Sequence, residues 1–331
     1  MKKLFLIILL ISSFFFGIKV FGVEFNHNND KVYVSGETIG LKINTGVMVT
    51  KMYAIQTDEG VVKPWENANI KIGDIITKIN QININNADTL IGVLAEKGNT
   101  ELQIELLRDN SVIKTSITPV YKNDTITLGI YVKDNMLGVG TMTFITKDSL
   151  KFASLGHQIN SKLDNASGSI YKAEVTGIDK SVKGHAGSKK ATIDYDQIGS
   201  ISDNTLKGVY GSFTSSVNNL TLYSIKLKEE VKLGEATILT CIDGKKVCSY
   251  KIEITNLYKK TDNNIKGIKF KIVDEDLLDK AGGVIQGMSG SPIIQDNKLI
   301  GAVTHVIVNS PNLGYGIFVE YMLEELDYEV K

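Results

Sequence analysis

The 331 residues balance 37 Lys and Arg against 37 Asp and Glu, a formal net charge of +0. That balance argues against a nucleic-acid binder, which carries a basic stripe to displace condensed counterions. A chain that is 43% hydrophobic and 22% charged is globular, and its 2 Cys cannot build a disulfide scaffold or a zinc site, so no metal or cofactor is expected.

Lys2 and Lys3 precede an apolar run from Leu4 to Ile18, and Gly22 is a small residue suited to a cleavage position after Val20. This is the layout of a secretory signal, and the run is shorter than the ~20 residues of a spanning helix. Residues 1–22 are therefore expected to be a signal peptide, or a retained anchor through residues 4–18, with the remainder exported and soluble. Residues 23–33, including His27, Asn28, Asn29 and Asp30, read as a polar spacer.

Residues 34–122 read as a small α+β unit. Val47-Met48-Val49 is strand-like after the turn Asn44-Thr45-Gly46, and Ile75, Ile76 and Ile79 form a second apolar run after Gly73. Asn85 to Asp88 offer N-caps for a helix with Leu90, Val93 and Leu94 on one face, ended by Gly98. Leu102, Ile104 and Leu106 alternate with polar residues, and Arg108-Asp109-Asn110 turns into Val112 to Ile117. The run Ile72-Gly73-Asp74-x-Ile76-x-x-Ile79-Asn80, with Thr38-Ile39-Gly40-Leu41 standing at the carboxylate-binding loop, resembles a PDZ domain. That resemblance implies a peptide tail bound as an added strand. A ligand-free α+β domain is the alternative, and the polar stretch Gln56 to Glu66 departs from compact PDZ domains.

From residue 123 to 331 the pattern changes to short strands broken by Gly, Asn and Asp, such as Gly138 to Ile145, Ile170 to Ile178, Val247 to Ile254 and Ile293 to Val308. Such spacing predicts a sandwich or barrels. Cys241 and Cys248 flank an Asp243-Gly244 hairpin turn and pair only if the register sets them opposite.

The sharpest chemical signal is Gly287-Met288-Ser289-Gly290-Ser291-Pro292, leading into the apolar Ile293-Ile294. Flanking glycines let the backbone turn tightly, expose a hydroxyl and gather N–H groups on one spot. Ser289 is the favoured nucleophile and Ser291, before Pro292, its rival. Of the 4 His, His157 in Leu155-Gly156-His157 is favoured as base over His185 and His305. Spacing alone does not choose the carboxylate: Asp274 ends a strand, whereas Asp276 and Asp279 read as solvated helix charges.

Gly138 to Ile145, Leu155-Gly156-His157-Gln158-Ile159, Gly282 to Ile294, Leu299 to Val306 and Gly314-Tyr315-Gly316-Ile317-Phe318 together resemble stage IV sporulation protein B. That family comprises exported PDZ-containing serine peptidases of endospore-forming bacteria. The resemblance implies a mainly β chain in which a PDZ-like α+β domain precedes a chymotrypsin-like double β-barrel. It implies a triad of His157, Asp274 and Ser289, oxyanion donors on Gly287 and Ser289, and a substrate-pairing strand at Thr304, His305 and Val306. Met288 departs from trypsin-like enzymes, which have Asp there, so their ionic activation switch cannot operate. The implied setting is the space between forespore and mother cell. The implied substrates are the protein itself and a membrane-bound regulator of an intramembrane protease that processes a late sigma-factor precursor. A non-catalytic PDZ-bearing envelope protein that binds peptides is the alternative. Heat-shock proteases that place the PDZ after the catalytic domain fit the domain order less well.

Overall fold

In a computed structural model of the chain, the described residues are 31–43, 46–58, 60–108, 111–123, 125–134, 137–159, 167–259 and 265–327. The expected signal segment and most of the spacer lie outside them; the spacer's last residues begin the strand Lys31–Val34. Among the described residues no helix is long and apolar enough to cross a membrane.

Alternation decides where the strands form. In Val247–Leu257, Tyr250, Ile252 and Ile254 are buried while Lys251 and Glu253 are exposed, the period of two that a half-buried strand requires. Ile268, Phe270 and Ile272 are buried alternately in the next strand, as their spacing predicts.

The strands close into two antiparallel barrels of six strands each. The first runs Leu137–Thr146, Lys151–Ser154, Gly208–Phe213, Ser188–Thr205, Gly168–Asp179 and Thr38–Ile43, and closes back onto Leu137–Thr146. The second runs Lys298–Val306, Pro292–Gln295, Gly234–Cys241, Val247–Leu257, Ile268–Ile272 and Leu313–Phe318, and closes likewise. Closure removes the sheet edges that would otherwise invite aggregation. Ile39, Leu41, Ile43, Phe152 and Ile170 fill the first barrel; Ile238, Ile252, Phe270, Ile293 and Phe318 belong to the core of the second. Lys31–Val34 and Thr221–Ile225 pair with each other and stitch the barrels together.

The α+β unit is inserted into the first barrel. Its sheet orders Ile130–Asp134, Val47–Met52, Ile75–Ile79, Leu102–Arg108 and Ser111–Ile117. The helix Ala87–Lys97 packs on it with Leu90, Val93 and Leu94 buried, capped by the Asn86 side chain on Thr89 N–H and ended at Gly98 with φ 64°. Asp74 is buried and receives both Nε and Nη2 of Arg108 at 2.7 Å, which ties the loop after Gly73 to the end of the neighbouring strand Leu102–Arg108.

Two expectations are overturned here. Thr38-Ile39-Gly40-Leu41 is no peptide-binding loop: all four are buried within a first-barrel strand, paired on one side to Gly138–Thr141 and on the other to Ile170–Lys172. The inserted sheet therefore begins near Val47 rather than at residue 34, and it extends past 122 through Ile130–Asp134. Apolar strands that belong to different units carry the same local pattern, so the sequence could not apportion them. The cysteines are free. Cys241 lies opposite Val247 and Cys248 opposite Thr240, so the two side chains leave opposite faces of the ladder and cannot pair.

Candidate active site

His157 and Ser289 approach from different barrels. His157 follows the strand Lys151–Ser154 through Leu155 and Gly156, both left-handed at φ 66° and 65°. A Cβ on Gly156 would sit 2.9 Å from both Ile317 and Thr304, so only glycine allows the imidazole to be presented so close to the second barrel. Ser289 lies just before the second-barrel strand Pro292–Gln295. First-barrel threonines hold its loop. Thr141 donates its hydroxyl to Gly287 O at 2.7 Å and its N–H to Ser289 O at 2.9 Å, while Thr143 donates to Gly290 O at 2.8 Å.

The result is a contact of 2.9 Å between His157 Nε2 and Ser289 Oγ. His157 Nδ1 lies 2.9 Å from Gln158 O. A carbonyl only accepts, so Nδ1 carries the proton and Nε2 presents its lone pair to the serine hydroxyl. Thr304 O lies 3.0 Å from Ser289 Oγ and is the alternative acceptor for the one hydroxyl proton. Burial holds the His157 pKa below its ordinary value, partly opposed by the Gln158 carbonyl.

Asp274 is not the imidazole's partner. It caps the helix Glu275–Ala281, accepting from Leu277 N–H at 3.1 Å on one oxygen and from Lys251 N–H at 3.1 Å on the other. Among the described residues no carboxylate acts on His157. A strand-ending Asp before a helix is what an N-cap looks like in sequence, and the cap is the role it fills here. Asp274→Ala is expected to cost about 1 kcal/mol, read as a lowered Tm, whereas Asp274→Asn keeps a capping oxygen and holds the Tm. Asp276 and Asp279 are exposed, the former paired with Lys280.

Ser291 is fully buried and its hydroxyl meets no base, which removes it as a rival nucleophile. His185 is exposed and exchanges backbone hydrogen bonds with Val182. His305 lines the cleft with its ring 5.3 Å from that of His157. Burial, then the neighbouring His157 and Lys266, push its pKa down to about 4, so it adds no charge beside the reacting imidazole near neutral pH.

A cleft of about 570 Å³ between the barrels is lined by His157, Ser289, Gly287, Thr304, His305 and Val306, together with apolar Leu41, Val139, Leu155 and Val284. Neither Gly287 N–H nor Ser289 N–H has a hydrogen-bond acceptor among the described residues, leaving two donors unused beside the hydroxyl. No three of His, Cys, Asp or Glu among the described residues gather closely enough to hold a metal. The carbonyl of Gln158 and the threonine clamps were not foreseen. A backbone acceptor has no residue signature, and Thr141 and Thr143 read simply as alternate members of a strand.

A hydroxyl facing an imidazole lone pair in a groove between two closed barrels is the arrangement of a serine peptidase. The model of the SpoIVB peptidase S55 family matches residues 124–323. The chain belongs to that family and is a serine peptidase. No curated protein sequence matches it. Among solved structures, an inactive serine-to-alanine form of Rv3671c from M. tuberculosis H37Rv is similar at 15% identity, over 57% of this chain and 82% of that one. The TM-score between the two is 0.32.

Proposed function

We propose that the chain is an endopeptidase of chymotrypsin-like design that works through a Ser289–His157 dyad. The observation that carries this is the 2.9 Å contact between Nε2 and Oγ, made across the two barrels. Oγ attacks the scissile carbonyl carbon and its proton passes to Nε2. Gln158 O retains the Nδ1 proton and stabilises the imidazolium, in the place where a carboxylate commonly stands. The free N–H groups of Gly287 and Ser289 take the developing oxyanion, a contribution of about 10²–10³ in turnover for each such donor. The C–N bond then breaks as Nε2 returns its proton to the leaving amine, and water releases the acyl group by the same steps. Thr304, His305 and Val306 offer the strand beside which an extended substrate lies.

Membership of the sporulation family supports an exported enzyme acting between forespore and mother cell. Its proposed substrates are itself and a membrane-bound regulator of an intramembrane protease, so that a late sigma-factor precursor is released for processing. With Thr38 to Leu41 inside a barrel, no peptide-tail site is assigned to the inserted unit.

Purified wild type should label with a fluorophosphonate and cleave itself or an unfolded polypeptide, and Ser289→Ala should do neither while keeping its Tm. Cleavage that survives in Ser289→Ala would overturn the assignment and leave a peptide-binding protein as the reading.

A further inference from the structure

We infer that Lys189 is a positioning residue for this site, fixing both peptide planes that flank Gly287. The inference rests on the catalytic reading of Ser289 and adds the device that holds its oxyanion loop in shape.

Lys189 is the second residue of the long strand Ser188–Thr205 and is only 6% exposed. Its backbone N–H donates to Gln286 O at 2.9 Å. In a trans peptide the C=O and the following N–H point in opposite directions. Fixing Gln286 O therefore fixes the direction of Gly287 N–H, one of the two unused donors. The side chain acts on the next plane. Nζ lies 3.1 Å from Thr38 Oγ1, 3.2 Å from Thr141 Oγ1 and 3.0 Å from Thr240 Oγ1. An ammonium has three N–H donors and no lone pair, so three hydroxyl acceptors satisfy it completely. Thr141, having accepted from lysine, sends its own proton to Gly287 O at 2.7 Å.

The chain of donors thus has one direction, from ammonium to hydroxyl to carbonyl, and it ends on the loop. The methylenes of Lys189 lie 3.1 Å from where a Cβ on Gly287 would project, so the stem also forms the floor beneath that glycine. Its three threonines come from both barrels, with Thr38 and Thr141 from the first and Thr240 from the second. A buried lysine without a carboxylate is costly to keep. Burial pushes its pKa down to about 7, with the Cys241 thiol as the ionisable neighbour. Met288, the residue next to this loop glycine, is fully buried and offers only a sulfur, which accepts from Ile285 N–H at 3.5 Å. The loop has no ion pair of its own, and the buried lysine beneath it supplies the hydrogen-bond donors that hold it.

The test compares Lys189→Met, Thr141→Val, their double variant and Thr141→Ser. Turnover is expressed per site titrated to completion with a fluorophosphonate, alongside KM and Tm. Lys189→Met and Thr141→Val are each expected to lower kcat per titrated site by roughly 10²-fold, with KM held within about threefold. The double variant should be no worse than the poorer single, because both cut one chain of contacts. Thr141→Ser should restore turnover, and Lys189→Met should keep or raise the Tm because it removes a desolvated charge. A loss confined to the number of titratable sites, or losses that multiply in the double variant, would overturn the inference, as would kcat per site within about threefold of wild type. If Lys189→Met does not fold, Thr141→Val decides alone. Failure of the catalytic reading itself would show earlier, as wild type that neither labels nor cleaves.

Discussion

His157→Ala lowers kcat by about 10⁴–10⁶-fold and leaves the fold in place. The ring is held by only two polar contacts, Nε2 to Ser289 and Nδ1 to Gln158 O, and neither is a scaffold for the barrels. Without the imidazole the serine proton has only Thr304 O to go to, a carbonyl far too weak to act as a base. The same contacts set the pH profile. The base works only when neutral, and burial holds its pKa below the ordinary 6.5. The acid limb of wild-type kcat/KM should therefore reflect protonation of Nε2, with a midpoint below 6.5. A carboxylate at Nδ1 would raise the imidazole pKa, so a midpoint above 6.5 would contradict the backbone-carbonyl arrangement. Measured kcat/KM from acid to neutral pH, with circular dichroism to confirm folding, decides it.

Gly290→Ala should destabilise the protein by about 3–5 kcal/mol and remove activity with it. Gly290 sits at φ 92°, where an L side chain is strained. A Cβ there would lie 2.0 Å from Thr141 O and 2.5 Å from Leu155 N, both backbone atoms that cannot swing aside. Those atoms belong to the strand that clamps the serine loop and to the turn that presents His157. One methyl group therefore forces apart the two halves of the site. Chemical denaturation of the variant would show a lowered midpoint, and an unchanged midpoint would contradict the packing described.

Much of this could be read from residues alone. The Gly-x-Ser-Gly turn demanded a tight loop, and His157 beside Gly156 announced an imidazole at a strand end. Alternation at Ile268, Phe270 and Ile272 marked a strand because each apolar side chain needed the same face. The limits have physical causes. The stretch from Ser188 to Thr205 is one 18-residue strand, yet its central residues Asp194 to Gln197 mix charge, aromatic and amide side chains without alternating. Thr38–Ile43 shows the same apolar texture as the inserted sheet, and only pairing to residues more than a hundred positions away assigns it to a barrel. Asp274 enters the triad only through the family resemblance, and the residues alone cannot correct it, because a carboxylate closing a strand looks alike whether it faces an imidazole or the first turn of a helix.

The placement of the inserted unit has a mechanical consequence. Its two points of attachment are the ends of neighbouring strands, Thr38–Ile43 and Leu137–Thr146, bound rung by rung from Lys42–Leu137 to Thr38–Thr141. Tension on such a ladder is applied as on a zipper, one rung bearing the load at a time rather than all sharing it. At the fifth and last rung stand two of the threonines that meet the lysine Nζ, so a tug borne along that seam arrives at the floor of the serine loop.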